Sequence, residues 1–125
     1  MNEKDRRLYQ ISGIVLALGA VVLGSFGAHA LKDTLIAENS VSVWETAVRY
    51  QMWHALGLLL LSLFPNNQSL QKAAGRCLIV GTLFFSGSLY LLATGGPGWL
   101  GPVTPVGGLL LIAGWGLFLL SICKA

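Results

Sequence analysis

Four long apolar stretches, separated by short polar ones, organise this chain. Leu8 to Leu31 is 24 residues without a charge. About 20 apolar residues in a helix cross the hydrocarbon core of a bilayer, so this stretch predicts a full span. Tyr50 to Phe64 is a second apolar run, ended by Pro65 and too short by itself. It reaches spanning length if its helix begins at Ser42, because Ser42 and Glu45 have the Ser-x-x-Glu spacing of a capping box. From Cys77 to Cys123 no charge occurs, and the run is cut by Gly95-Gly96-Pro97-Gly98 and by Gly101-Pro102. Two further spans result, with Thr104 read as an N-cap and Pro105 as the first helical residue, where a missing N–H costs nothing. In lipid each backbone polar group needs an internal partner, and the alternation of a membrane barrel is absent, so the spans are helices. The predicted fold is all-α: one polytopic membrane domain, a compact four-helix bundle with spans at about 8–31, 42–64, 70–94 and 105–122.

The small residues predict how these helices pack. On the first, Gly13, Ala17, Ala20, Gly24 and Gly27 follow steps of four, three, four and three, one continuous face. Ala74, Gly81 and Ser88 on the third helix, and Gly107, Gly114 and Ser121 on the fourth, recur every seven. Lipid offers no hydrophobic force between helices, so association rests on close backbone approach, and a sevenfold step suits a left-handed crossing. The first helix is expected to be buried deepest. Thr82, Ser86 and Tyr90 share a face from which hydroxyls can bond neighbouring helices.

Composition narrows the class further. The chain is 54% hydrophobic and only 10% charged, against roughly 25% charged in ordinary soluble domains. A soluble enzyme, a disulfide scaffold, a disordered tail and a nucleic-acid binder are therefore excluded. Cys77 and Cys123 lie far apart in apolar runs, without metal or redox spacing. Lys4, Arg6, Arg7, Lys72, Arg76 and Lys124 flank one set of span ends, and Lys32 and Arg49 the other. The positive-inside rule then places both termini in the cytoplasm of a multi-pass protein of the cell (inner) membrane. Ala28-His29-Ala30 imitates a leader cleavage site, but the preceding apolar run exceeds the roughly 7–15 residues of a leader, so the helix is expected to be retained.

Polar side chains inside spans are expensive, and they are the candidates for function. They are His29, Glu45, Arg49, Gln51 and His54, all towards the non-cytoplasmic half. With Glu45 at zero and about 100° per residue, Arg49 falls at about 40°, Tyr50 at about 140°, His54 at about 180° and Gln51 at about 240°. Glu45 and Arg49 form an i,i+4 pair, while Tyr50, Gln51 and His54 gather on the opposite side beside Gly57. His29 is expected to meet that second cluster. Plainer roles stand beside these: Glu45 as a cap, Arg49 reaching for the headgroups, His54 as a hydrogen-bonded core residue, His29 at the interface. Trp44, Trp53 and Trp99 are expected at headgroup level. A bis-histidine haem needs both rings at one depth, which His29 and His54 do not offer, and no cofactor or metal is expected. Leu8–Leu31 lacks the acidic residue of small four-helix drug exporters, and the paired cysteines of a thiol oxidase are missing.

The chain resembles a family of small membrane proteins of unassigned function, that of bacterial YgdD and YwdK (domain of unknown function 423, with a vertebrate relative, transmembrane protein 256). The resemblance rests on 24–31 (GSFGAHAL), 44–56 (WETAVRYQMWHAL), 85–90 (FSGSLY), 103–108 (VTPVGG) and 113–115 (AGW). It implies a four-span protein and supplies no activity, substrate or cofactor. It points to the same residues as the helix geometry: His29, Tyr50, Gln51 and His54. The binding candidates are thus His29, Glu45, Arg49, Tyr50, Gln51, His54, Ser86 and Tyr90. No nucleophile with an adjacent base accompanies them, so no enzyme is expected. The expected role is a small binding or transport-type bundle with a polar cluster near the outer leaflet. The alternative is a non-catalytic assembly or stability subunit of a larger complex. Expected partners are membrane lipids and either further copies of the chain or another membrane protein.

Overall fold

The computed structural model describes residues 2–65 and 67–125. Among these the secondary structure is helical, without a strand. Helix α1 (Glu3–Ala28) starts at Asn2, whose side chain accepts from the Lys4 N–H at 2.8 Å. Glu3 and Asp5 in its first turn suit the positive end of the helix dipole. The helix stops three residues short of the sequence expectation. The chain turns at His29, and the Leu31 N–H reaches back to the Phe26 carbonyl at 2.8 Å. A short helix α2 (Lys32–Ala37) follows, with Leu35 buried. Six residues with a single buried apolar position carry no readable helical period, so the sequence pattern did not announce it.

Helix α3 (Val41–Leu63) begins just before Ser42, and the capping box does not form. Ser42 lies within the first turn, and its carbonyl accepts from the Thr46 hydroxyl at 2.9 Å. The preceding Ser40 donates its hydroxyl to the Ala93 carbonyl instead of capping. Helix α4 (Gln68–Ala93) is capped by Asn67, which accepts from the Leu70 N–H at 3.2 Å. A 3₁₀ turn (Gly98–Leu100) leads to α5 (Val103–Cys123). Thr104 is not its N-cap: it sits inside the first turn and shares a hydrogen bond with the Ser88 hydroxyl at 2.6 Å.

Helices α3 and α4 lie side by side, with α1 packed along α3 and α5 along α4. Adjacent helices run antiparallel. Going up α1, Gly13, Leu16 and Leu23 meet Ala55, Gln51 and Trp44, going down α3. The sevenfold stripes of α4 and α5 do face each other. A Cβ on Gly81 would meet Leu111 at 2.9 Å, and one on Gly114 would meet Leu78 at 2.7 Å. Ser88 and Ser121 are buried within the same seam.

The expectation that α1 is buried deepest is wrong. Three of its 26 residues are buried, against nine of the 23 in α3. The small face of α1 does pack, but on one neighbour, and Leu8, Ile14, Leu18 and Phe26 stay on the outside of the bundle. Helix α3 touches α1 and α4 along its length, and its His54 reaches α5. By length and composition α1, α4 and the segment Gly98–Cys123 are apolar enough to cross a membrane. Helix α3, at 23 residues or about 34 Å, has the length but carries Glu45, Arg49, Gln51 and His54. The long helix that falls outside that set is thus the one with the largest share of buried residues.

Candidate functional site

The eight candidate residues separate into two groups. Tyr50, Gln51, His54, Ser86 and Tyr90 lie inside the bundle, where each completes a bond or ring contact with a neighbour. The Gln51 amide nitrogen donates to the Leu16 carbonyl of α1 at 2.8 Å, and its carbonyl accepts from the Tyr90 hydroxyl of α4 at 2.7 Å. One side chain of α3 therefore ties both flanking helices. The Ser86 hydroxyl donates to the Ala47 carbonyl at 2.7 Å. Tyr50 stacks on Phe85 of α4, ring centroids 4.4 Å apart, and on His54 at 5.9 Å.

The surroundings of His54 fix its tautomer. Its Nδ1 lies 2.6 Å from the Tyr50 carbonyl, which only accepts, so Nδ1 carries the proton. Its Nε2 lies 3.0 Å from the indole nitrogen of Trp115, which only donates, so Nε2 offers its lone pair. Both ring nitrogens are thereby used, and the neutral ring ties α3 to α5. Thr82, expected to bond a neighbouring helix, bonds the Leu78 carbonyl of its own helix at 2.7 Å.

His29, Glu45 and Arg49 form the second group, at the end of the bundle where α1 stops and α3 starts. His29 does not join His54. The turn that ends α1 leaves it exposed beside Arg49, Met52 and Trp53, in a shallow depression on one flank of α3. Glu45 and Arg49 pair across one helical turn at 3.7 Å, both well exposed. On the other flank they overlook a cleft of about 570 Å³ between α1, α2 and α3. Gly24, Gly27, Leu35, Trp44 and Val48 line its apolar part, and Lys32 stands on the α2 side.

Sequence reasoning missed three participants. Trp44 is 5% exposed and turned into the protein: its indole donates to the Leu23 carbonyl at 2.9 Å, in the space that glycine leaves at Gly27. Trp53 and Trp99 are exposed. Trp115 holds His54, and the available signal was an indole N–H in mid-helix, which in lipid requires an acceptor. Lys32 entered only as a charge count, since nothing in the pattern revealed that α2 folds back over α3. Among the described residues no set of three or more His, Cys, Asp or Glu is arranged to hold a metal ion.

Residues 23–108 match the family described as "Protein of unknown function (DUF423)". The stretch covers the α1–α2–α3 cleft and most of the internal ties. The chain is 44% identical over 119 residues to a UPF0382 membrane protein of Staphylococcus haemolyticus (strain JCSC1435), covering 94% of this chain and 97% of that protein. It is 37% identical over 121 residues to the UPF0382 membrane protein YwdK of Bacillus subtilis (strain 168), covering 94% and 98%. No solved structure matches the chain significantly.

Proposed function

Because the chain belongs to the DUF423 family, whose relatives are named membrane proteins, we propose that it is a non-catalytic four-span binding protein of the cell (inner) membrane, with both termini cytoplasmic, that holds an amphiphilic molecule in the α1–α2–α3 cleft. The observation that carries this reading is the contrast between the two polar groups. Inside the bundle Gln51, His54, Ser86 and Tyr90 spend their polar atoms on helix carbonyls, an indole and each other, which leaves none of these four side chains free to hold a ligand. At the end of the bundle an apolar cleft of about 570 Å³ lies under the exposed charges of Lys32, Glu45 and Arg49. An apolar floor beneath a charged rim suits a molecule with a tail and a polar head. The arrangement supports binding over transport by a single copy of the chain.

Native mass spectrometry of the protein taken from its own membranes in mild detergent tests this. Wild type is expected to retain an amphiphile. Ala28→Trp, which fills the cleft from the end of α1, is expected to lower that retention by roughly tenfold or more, the equivalent of about 1.4 kcal/mol. Tyr90→Phe, which changes only an internal tie, is expected to keep it. Equal retention in wild type and Ala28→Trp would overturn the assignment of the cleft.

A further inference from the structure

The cleft between α1, α2 and α3 has a fixed floor. Gly24 and Gly27 of α1 let Val48 and Trp44 of α3 come close there: a Cβ on Gly24 would meet Val48 at 3.4 Å, and one on Gly27 would collide with the Trp44 indole. Trp44 is held on two sides, by its bond to the Leu23 carbonyl and by the edge of Tyr90, ring centroids 4.7 Å apart. Its apolar ring face is therefore pre-set, not recruited by a ligand.

The rim carries a definite sign. Three charged residues line the cleft: Lys32, Glu45 and Arg49. Glu45 is engaged by Arg49 at 3.7 Å, which leaves Lys32 without a carboxylate partner among the described residues. The other two acids at this end, Asp33 and Glu38, do not line the cleft. Asp33 is next to Lys32 on α2, and adjacent helical positions do not face each other. Glu38 lies against the loop after α4, its carboxylate 3.4 Å from where a Cβ on Gly95 would stand. The negative end of α1 and the positive end of α3 both border the cleft and oppose each other. What remains is one uncompensated positive charge, the Lys32 ammonium, beside an apolar floor.

We propose that the occupant of this cleft is a single-chain lipid with a carboxylate head, a long-chain fatty acid, with its carboxylate on the Lys32 ammonium and its chain over Trp44 and Val48. The assignment rests on the amphiphile reading of the cleft and adds the class of molecule. The cleft, at about 570 Å³, falls inside the range of about 300–1,000 Å³ that suits one small ligand, and so takes one chain. A head with one negative charge balances the one free cation. A cationic head would find Glu45 already shared with Arg49 and would face Lys32 besides. A neutral alcohol would fill the floor but leave the ammonium unpaired.

The test offers the full chain, in phosphatidylcholine bilayers at mildly alkaline pH, an equal mixture of palmitate, hexadecanol and hexadecylamine. The protein is then repurified and what it keeps is measured by mass spectrometry. Wild type is expected to keep palmitate over each of the other two by roughly fivefold, the upper range for one exposed ion pair, and by less at high salt. Lys32→Gln is expected to retain palmitate and hexadecanol alike, and Lys32→Glu to turn the preference to hexadecylamine. Lys4→Gln, at the start of α1 and far from the cleft, is expected to keep the wild-type preference. Equal retention of the three probes by wild type, lowered for all by Ala28→Trp, would overturn the carboxylate assignment and leave the cleft standing. A palmitate preference that survives Lys32→Gln would overturn it too. Retention of none of the probes, or retention indifferent to Ala28→Trp, would overturn the reading of the cleft and this assignment with it. Displacement of palmitate by phosphatidylglycerol added to the bilayer would overturn the single-chain assignment.

Discussion

Gly107→Ala is expected to unfold the protein at a markedly lower temperature, while Gly116→Ala, nine residues further along the same helix, leaves the midpoint unchanged or raises it. A Cβ on Gly107 runs into the Phe85 backbone nitrogen, the Phe85 Cα at 2.8 Å and the Gly81 carbonyl at 2.9 Å. All three are main-chain atoms of α4, so no rotamer change relieves the contact, and the helices must separate. Overpacking costs about 1–3 kcal/mol, and a clash with backbone belongs at the upper end. The loss spreads along the seam, because Gly114 against Leu78 and Ser88 against Thr104 depend on the same helix spacing. Gly116 has no atom within 4 Å of an added Cβ, so alanine there brings only its better helix propensity, about 0.5–1 kcal/mol. Thermal unfolding in detergent, followed by circular dichroism, compares the two directly. Equal midpoints would mean that α4 and α5 do not approach as closely as described.

Gln51→Leu is the second large effect. Leucine fills nearly the same volume but severs both ties of α3, to the Leu16 carbonyl and to the Tyr90 hydroxyl. Hydrogen bonds between helices in membranes are worth about 0.6 kcal/mol on average and up to about 1.7. The stranded Tyr90 hydroxyl adds a desolvation cost of about 1–3 kcal/mol. A total near 2–3 kcal/mol is therefore expected. The signature lies in the cycle with Tyr90→Phe. Once the hydroxyl is gone the orphan disappears, so the double variant is expected to be more stable than the two single losses predict, by about 1 kcal/mol or more. Additive losses would show that Gln51 and Tyr90 do not bond.

The readable parts of the fold were those written in long periods. Uncharged length announced α1, α4 and α5, and the sevenfold recurrence of small residues announced the α4–α5 seam. The eight candidate side chains were singled out because polar groups in apolar runs stand out. Their partners were not legible, since most of them are main-chain carbonyls, which every residue carries. Gln51 takes Leu16, Ser86 takes Ala47 and Trp44 takes Leu23, and no pattern of side chains singles out those three. The wheel at about 100° per residue set Tyr50, Gln51 and His54 in one arc, whereas packing gives Gln51 to α1 and α4 and His54 to α5. His29 went astray for a local reason. Its helix ends in a turn closed by Leu31 on Phe26, which directs the chain into α2 and away from His54.

A helix carrying Glu45, Arg49, Gln51 and His54 is a poor span by composition. On the proposed four-span reading it crosses because neighbouring helices take up its internal polar atoms while the Glu45–Arg49 pair stays at its end. If α3 crosses as proposed, its direction decides on which side of the membrane the cleft lies. Single cysteines at Asn39, before α3, and at Lys72, after it, measure that crossing in a chain with Cys77 and Cys123 changed to serine. With a membrane-impermeant maleimide on intact cells, the account predicts labelling at position 39 and none at position 72 until the membrane is opened. Labelling of both positions, or of neither, from outside would place them on one side of the membrane and contradict it.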